Sequence, residues 1–462
     1  MTGPMHDATH TDGETERRRV TGVRSGRGTR RPDRGGRHAS LACGLCAMLA
    51  GPWCTGVVRA DASPAAAPGW PGPEIAAEIN LEGQRDDGRE AFDEPRRDTA
   101  AFESSLRVAA SQTLGRGASM LVELELGTRH RDGRGDDEDE ARYRIRQLRL
   151  QHENADETLR WRLGRQKLED GTGFFVDSRL DGLRFTRRGE RGRFDLSLTR
   201  DAWFESGTER RDDIVYNALG SIRIDGVNGS RWRPWVLHRL ELDPDGSERS
   251  RATWAGLQGI VNLDDRVGYW FNAAARTGVR HRDDGDRTLG GHAVDAGLTW
   301  TFDRRFDPSI TLGAARASGN RAGSDEDEGF RQSGLHSNEF RPSGRNRFRY
   351  LGEVIDPELA NLEVLSAGVG ARLDRHWAVD VLWHRYRQSR AEDRLRGTDL
   401  RYEPAGERRD LGDALDLVVG YRRSESLGLL GVAGLFDPGA AFADDPGVAW
   451  LARLEMTWVF AR

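Results

Sequence analysis

Near its C-terminus the chain sets an apolar side chain at every second position: Val448, Trp450, Ala452, Leu454, Met456, Trp458 and Phe460. Leu451, Arg453, Glu455, Thr457 and Val459 stand between them. A period of two predicts a β-strand with two unlike faces. Aromatics near both ends of the apolar face suit a strand that crosses a bilayer between two aromatic girdles, and Arg453 and Glu455 suit a wet lumen on the other side. A strand of a soluble sandwich would need more buried apolar surface than the chain offers elsewhere.

The same alternation recurs along the chain. Ile75, Ala77, Ile79 and Leu81 mark a first strand, Leu106, Val108 and Ala110 a second, and Met120, Val122, Leu124 and Leu126 a third. Further strands are predicted at 142–153, 159–163, 180–186, 194–198, 217–224, 231–242, 253–263, 268–279, 291–302, 309–318, 362–373, 376–387, 413–422, 429–436 and 448–460. Long polar connections follow strands in odd positions and short Asp/Gly/Asn-rich turns follow the even ones. Outer-membrane barrels show this parity, with short periplasmic turns and long outer loops. The fold class expected is all-β, a transmembrane antiparallel up-and-down barrel of roughly eighteen strands. One barrel domain should span 74–462. A barrel this wide is not filled by its strand side chains, so it should be an aqueous or loop-plugged channel. The connection 319–361 is too long for an ordinary outer loop, and part of it is expected to fold inward.

Composition sharpens this reading. The 462 residues are 37% hydrophobic and 31% charged, with a mean hydropathy of −0.69. A barrel reconciles such polarity with a membrane, because only alternate strand residues meet lipid. Cys43, Cys46 and Cys54 fall in one apolar stretch, Leu41 to Val58, behind the basic Arg30, Arg31, Arg34 and Arg37. The pair Cys43 and Cys46 lacks the partner pair a zinc site needs. The segment 1–60 reads as a signal peptide on the general secretory route, cleaved after Ala60 or Ala62, with a start set too far upstream. Residues 61–73 read as a mobile leader. Lys167 is the only lysine, so arginine carries nearly all the positive charge.

Several stretches resemble the alginate export porin family of Gram-negative outer membranes. They are Phe330-Arg-Gln-Ser-Gly-Leu-His-Ser-Asn338, Gly164-Arg-Gln-Lys167 with Glu169-Asp170, Gly406-Glu-Arg-Arg-Asp-Leu-Gly412 leading into Leu415–Val419, Leu435-Phe-Asp-Pro-Gly439, and Trp458-Val-Phe460. The first is the most specific. The resemblance implies an eighteen-strand barrel that passes an anionic polysaccharide outward through an arginine-lined constriction. Carried over residue by residue, it implies a positive lining of Arg107, Arg146, Lys167 and Arg347, with Asp177, Glu205 and Glu455 as acidic counterparts. Asn80, Leu430 and Glu339 stand where the family carries basic residues, with Arg341 close to the last. The turn Arg423–Leu427 is short where the family has a long periplasmic segment.

Strand parity alone points Arg107 inward, and also Arg142, Arg144, Arg146, Arg422 and Arg453. Arg233, Arg239 and Arg276 share parity with tryptophans, which leaves their direction open. Lys167 shares parity with Trp161 and Leu163 on the lipid face, unless a bulge turns it inward. Guanidinium suits a carboxylate ligand because two N–H donors match two oxygens. A charged lumen is also what any porin has. The acidic run Asp136–Glu140 reads as a solvated loop, a divalent-cation site being the alternative. No G-x-S-x-G or H-E-x-x-H occurs, and no enzyme activity, cofactor or metal is expected. Export of an acidic exopolysaccharide, alginate or a related polyuronate, is the leading reading. A specific or general porin for small anionic solutes is the alternative, and a structural surface barrel is a third. Expected partners are the polymer or solute, outer-membrane lipid, a periplasmic secretion scaffold protein, and the barrel assembly machinery through the last strand, with no nucleic acid.

Overall fold

Every predicted strand is present, most of them longer than the alternating stretch that announced it. The computed structural model describes residues 73–460 apart from 88–98, 134–137, 202–213, 284, 322–323, 325, 401 and 444–445. The expected signal segment 1–60, the leader up to residue 72, and Glu205 lie outside the described residues, as does part of the acidic run 136–140.

In chain order the strands are β1 (Glu74–Asp87), β2 (Thr99–Gly115), β3 (Ala118–Gly133), β4 (Glu138–Glu153), β5 (Leu159–Glu169), β6 (Asp177–Gly189) and β7 (Gly192–Arg200). They continue with β8 (Ile214–Asp225), β9 (Arg231–Leu242), β10 (Glu248–Asn262), β11 (Val267–Arg280), the short β12 (Arg287–Leu289), β13 (His292–Thr301) and β14 (Ser309–Ala317). A two-residue hairpin, β15 (Glu339–Phe340) and β16 (Phe348–Arg349), lies within the long connection. The last are β17 (Leu362–Arg372), β18 (Trp377–Gln388), β19 (Asp410–Arg422), β20 (Leu427–Pro438) and β21 (Ala449–Phe460).

Each long strand pairs antiparallel with its neighbour in sequence, and β21 returns to pair with β1, Leu81 opposite Met456. Within the sheet β12 pairs with the end of β11, bridges through Leu289 to Asp327 of the long connection and leads into β13, so the closed sheet has eighteen staves. Closure leaves no unpaired edge, the condition for a sheet to sit in hydrocarbon. The outer surface carries the apolar half of the alternation: Leu126, Tyr143, Leu163, Leu198, Leu365 and Val369 are all exposed. Trp161, Trp300, Trp377, Trp383 and Trp458 are exposed with them.

The inner surface is not uniform. On β18 the inward row Asp380, Leu382, His384, Tyr386 and Gln388 is buried throughout, whereas among the described side chains of β1–β4 only Asp86 and Glu125 are buried. The difference comes from the connection between β14 and β17. It enters the barrel and packs Phe330, Leu335, Phe348, Tyr350, Leu351, Val354 and Ile355 into one apolar cluster with Trp235, Trp254, Tyr386 and Phe436 of the wall. Trp235, Trp254 and Trp270 therefore face inward, which settles the direction of Arg233, Arg239 and Arg276, left open by parity.

Candidate functional site

The inserted connection is held by named polar contacts along its length. The backbone N–H of Asp177 donates to Leu335 O at 2.6 Å. Ser333 Oγ donates to Phe175 O at 2.8 Å, and Gln332 Nε2 to Phe174 O at 2.7 Å. The Gln332 side chain also exchanges hydrogen bonds with Asn338 and accepts Leu359 N–H. Asn338 sits at φ 51°, a conformation asparagine tolerates better than most residues. The 330–338 motif is thus a fastener to the loop 170–176. That loop is anchored in turn by Asp170, which accepts the N–H groups of Thr172, Phe175 and Val176, and by Phe175 stacked on Trp235 with centroids 4.3 Å apart. The motif 330–338 thus meets the loop that Asp170, the end of a second stretch singled out in the sequence, holds in shape. Two more of those stretches bind each other, with Gly439 N–H donating to Leu411 O.

Further along, Arg345 reaches Ser309 Oγ at 2.8 Å and the Asp307 carbonyl, beside the short turns. Asn346 Nδ2 donates to Asp380 at 2.9 Å, Tyr386 Oη to Leu351 O at 2.8 Å, and Glu353 N–H to Asp416 at 3.0 Å. Arg453 Nη2 meets Glu353 Oε2 at 3.0 Å, with both side chains buried. Burial pushes the His336 imidazole of this connection down to about 4. It pushes the Asp356 carboxyl up to about 6 against the pull of Arg349, and the Glu358 carboxyl moves the same way.

The insert covers the β10–β21 side of the wall and leaves most of the β1–β6 side open, and four of the sequence-nominated residues, Arg107, Arg146, Lys167 and Asp177, belong to that side. Arg107 Nη1 pairs with Glu78 at 2.7 Å and its Nε with Glu125 at 2.6 Å. Arg146 Nη1 meets the same Glu125 oxygen at 2.6 Å, and its Nε lies 3.7 Å from Glu123. Arg146 faces inward by the same parity as Arg144, and a bulge beside it, where the register with β3 shifts between Glu123 and Leu124, re-aims the residues that follow, so Gln147 and Arg149 face inward too. Lys167 Nζ contacts Asp177 at 2.9 Å and Glu169 at 3.0 Å, and Arg347 of the insert takes the other Asp177 oxygen at 2.8 Å. Three nominated residues thus form one cluster at the long-loop rim. Lys167 reaches it without a register shift in β5. The change of face falls at Gly164, paired with Gly182 and held at φ 112°, where a Cβ would sit 2.1 Å from Leu148 O. Glu455 pairs with Arg453 at 2.8 Å on the covered side. Arg341 makes no ion pair among the described residues and lies where Arg422 and Arg347 both act on it. Among the described residues no ion pair joins Arg107 and Arg146 to the Lys167 cluster, although Arg179, opposite Lys167 in the register, stands between the two groups and acts on both.

Comparison with known proteins fits this architecture. The profile of the alginate export family matches residues 75–453. This chain belongs to the alginate export family. It is 23% identical over 306 residues to the alginate production protein AlgE of Pseudomonas aeruginosa, covering 56% of this chain and 59% of that protein. It is 29% identical over 193 residues to the protein of that name from Azotobacter vinelandii, covering 36% and 39%. The alignments therefore span about three-fifths or less of these relatives. Among solved structures, OccK7 (OpdD) of Pseudomonas aeruginosa superposes with a TM-score of 0.56 at 14% identity, covering 84% of this chain and 99% of that one. OccAB3 of Acinetobacter baumannii gives 0.53 at 12% identity, covering 84% and 99%. These likenesses show an outer-membrane barrel.

In this family member, sequence reasoning missed a second group on the open wall. Arg160, Arg162, Arg184 and Arg193 occupy inward positions of β5, β6 and β7, between the exposed Trp161, Leu163, Leu183 and Phe194. The signal was available: arginines two apart, alternating with large apolar residues, are inward arginines in a barrel strand.

Proposed function

We propose that this protein is an outer-membrane channel that exports an acidic exopolysaccharide, alginate or a related polyuronate, along the arginine-bearing side of its lumen. The observation that carries the reading is the division of that lumen. The insert fills the aromatic half and leaves a lane whose fixed wall presents Arg107, Arg146, Arg149, Arg160, Arg162 and Arg184. Guanidinium groups along a partly desolvated lane attract carboxylates, and a moving polymer needs several releasable contacts in place of one tight one. Most of the wall arginines hold an exchangeable carboxylate of the protein, a ready competitor for the passing one. The chain acts as a channel and not as an enzyme. The short turns face the periplasm, where a secretion scaffold would deliver the polymer, and the long loops face outward. The last strand, β21, is the segment offered to the barrel assembly machinery, and outer-membrane lipid is the solvent of the exposed apolar face.

A porin for small anionic solutes is the second reading, favoured by the tight hairpin at residues 423–426 between β19 and β20, which is too short to cover the periplasmic mouth. The test is purified full-length protein in planar bilayers under a salt gradient, with uronate oligomers and monomers as blockers. Anion preference with block that strengthens with oligomer length supports export. Equal block by monomers supports the porin, and absence of both anion preference and block sinks the anion lane.

A further inference from the structure

Arg107 and Arg146 are largely neutralised where they stand, because Glu78, Glu123 and Glu125 are all within contact distance of them. The adjoining wall, centred on β5, is different. Arg162 makes one hydrogen bond among the described residues, from Nε to the uncharged Oε1 of Gln151 at 2.8 Å. Beyond its burial, the charged neighbours that act on it most strongly are Arg149, Arg184, Arg160 and Arg193, all of its own sign. Arg162 stands directly opposite Arg184 in the β5–β6 register, and Arg149 opposite Gly164, one inward position further along. The local carboxylates are committed elsewhere. Glu153 takes Arg160 at 2.6 Å and Arg188 at 3.2 Å, and Asp195 takes Arg184 at 2.9 Å and Arg193 at 2.6 Å.

Neighbouring strands lie about 4.8 Å apart and alternate residues about 7 Å apart along a strand. Like charges at such spacing repel, more strongly where water is partly excluded. An oxyanion arriving at Arg162 relieves that repulsion. The guanidiniums are spread over three strands and at least two residue rows, so they do not converge on one small anion. They match a chain that carries a carboxylate on each of several consecutive units.

We infer that Arg162 and Arg149, whose side chains meet only uncharged partners among the described residues, form with the flanking, carboxylate-paired Arg160 and Arg184 a carboxylate-binding station near the short-turn mouth of the lumen, and that this station determines selectivity ahead of Arg107 and Arg146. The inference rests on the export reading above. It assigns the intake of the polymer to residues near the start of β5 and the end of β6, with the paired arginines of β2 and β4 serving as a relay further along the wall.

The experiment compares full-length wild type, R162Q/R184Q and R107Q/R146Q in planar bilayers, each checked for heat-modifiable migration on gels. Reversal potential is read first, then half-blocking concentrations of oligouronate, glucuronate monomer and inorganic phosphate. R162Q/R184Q should weaken oligouronate block by tenfold or more and lower anion preference, with monomer and phosphate block weak in every protein. R107Q/R146Q should change oligouronate block less than threefold. Wild-type block that survives in R162Q/R184Q but falls in R107Q/R146Q overturns the station and leaves export standing. Monomer or phosphate block that falls together with oligomer block makes it a small-anion site and overturns the polymer assignment. Wild type with neither anion preference nor block overturns the export reading itself.

Discussion

The contact between Arg453 and Glu353 offers the sharpest test of how the insert is held. Arg453 belongs to β21 and Glu353 to the insert, and their side chains are only 8% and 1% exposed at a separation of 3.0 Å. Arg453→Met keeps the bulk of the stem and removes the charge. Glu353 is then left as a buried carboxylate near Glu455 and Glu82, both of which lie in the same field. Removing one partner of a buried pair costs about 3–5 kcal/mol, mostly the penalty of the stranded charge. At about 1.4 kcal/mol per decade this is a shift of roughly two to three and a half orders of magnitude in a local equilibrium. The strands keep their ladder hydrogen bonds, so the loss falls on docking of the insert. R453M should therefore raise mean single-channel conductance and open the Arg345, Arg347 and Arg349 stretch to trypsin. Adding Glu353→Gln removes the stranded charge and should recover much of the docking, with a coupling above about 1 kcal/mol in a double-mutant cycle. Conductance and trypsin resistance equal to wild type in R453M would refute the account, since the insert would then be held without this pair.

Deleting residues 324–343 should raise conductance at least twofold, because the deletion removes the fastener at 330–338; an unchanged conductance counts against an insert that narrows the lumen. Replacing both Arg107 and Arg146 with Glu should move reversal potential toward cation preference and, by adding charge beside Glu123 and Glu125, lower heat stability on gels, whereas Leu454→Ala should leave reversal potential unchanged. Docking should also respond to pH with a sign that depends on His336. A depressed imidazole gives stability that is full above about pH 6.5 and lost as pH falls toward 4. The raised Asp356 acts oppositely, its contribution full below about 3.8 and lost as pH rises through 6. His336→Gln should therefore make trypsin resistance of the insert increase on going from pH 6 to 4, where wild type shows a flatter response; identical profiles would refute the assignment.

The strands were legible because lipid demands an apolar residue at every second position and tolerates few exceptions. That rule reads the outer face, and it placed all eighteen staves. It says less about the inner face, which is chosen by whatever fills the lumen. Trp235, Trp254 and Trp270 look like lipid-facing residues until the insert supplies their apolar neighbours. Lys167 was ambiguous for a related reason: parity fails across the paired Gly164 and Gly182, where the sheet changes face without losing register. Arg146 kept the direction that parity gives it, and the bulge beside it turned Gln147 and Arg149 inward against that parity. Glu205 lies outside the described residues. The arginines of β5 and β6 were within reach of the same pattern that found the strands, and the resemblance drew attention away from them.

β14 and β17 are direct neighbours in the sheet, Arg316 opposite Glu363. The chain that leaves one and returns by the other starts and finishes at adjacent points on a single rim. Its length is consequently uncoupled from the geometry of the staves. Doubling such a closed loop adds only about 0.6 kcal/mol of closure entropy, and no strand has to slide. The number of staves fixes the outer girth, while one connection fixes the calibre of the lumen. Insertions and deletions there can widen or tighten the lumen, with the lipid-facing surface and the arginine wall left as they are.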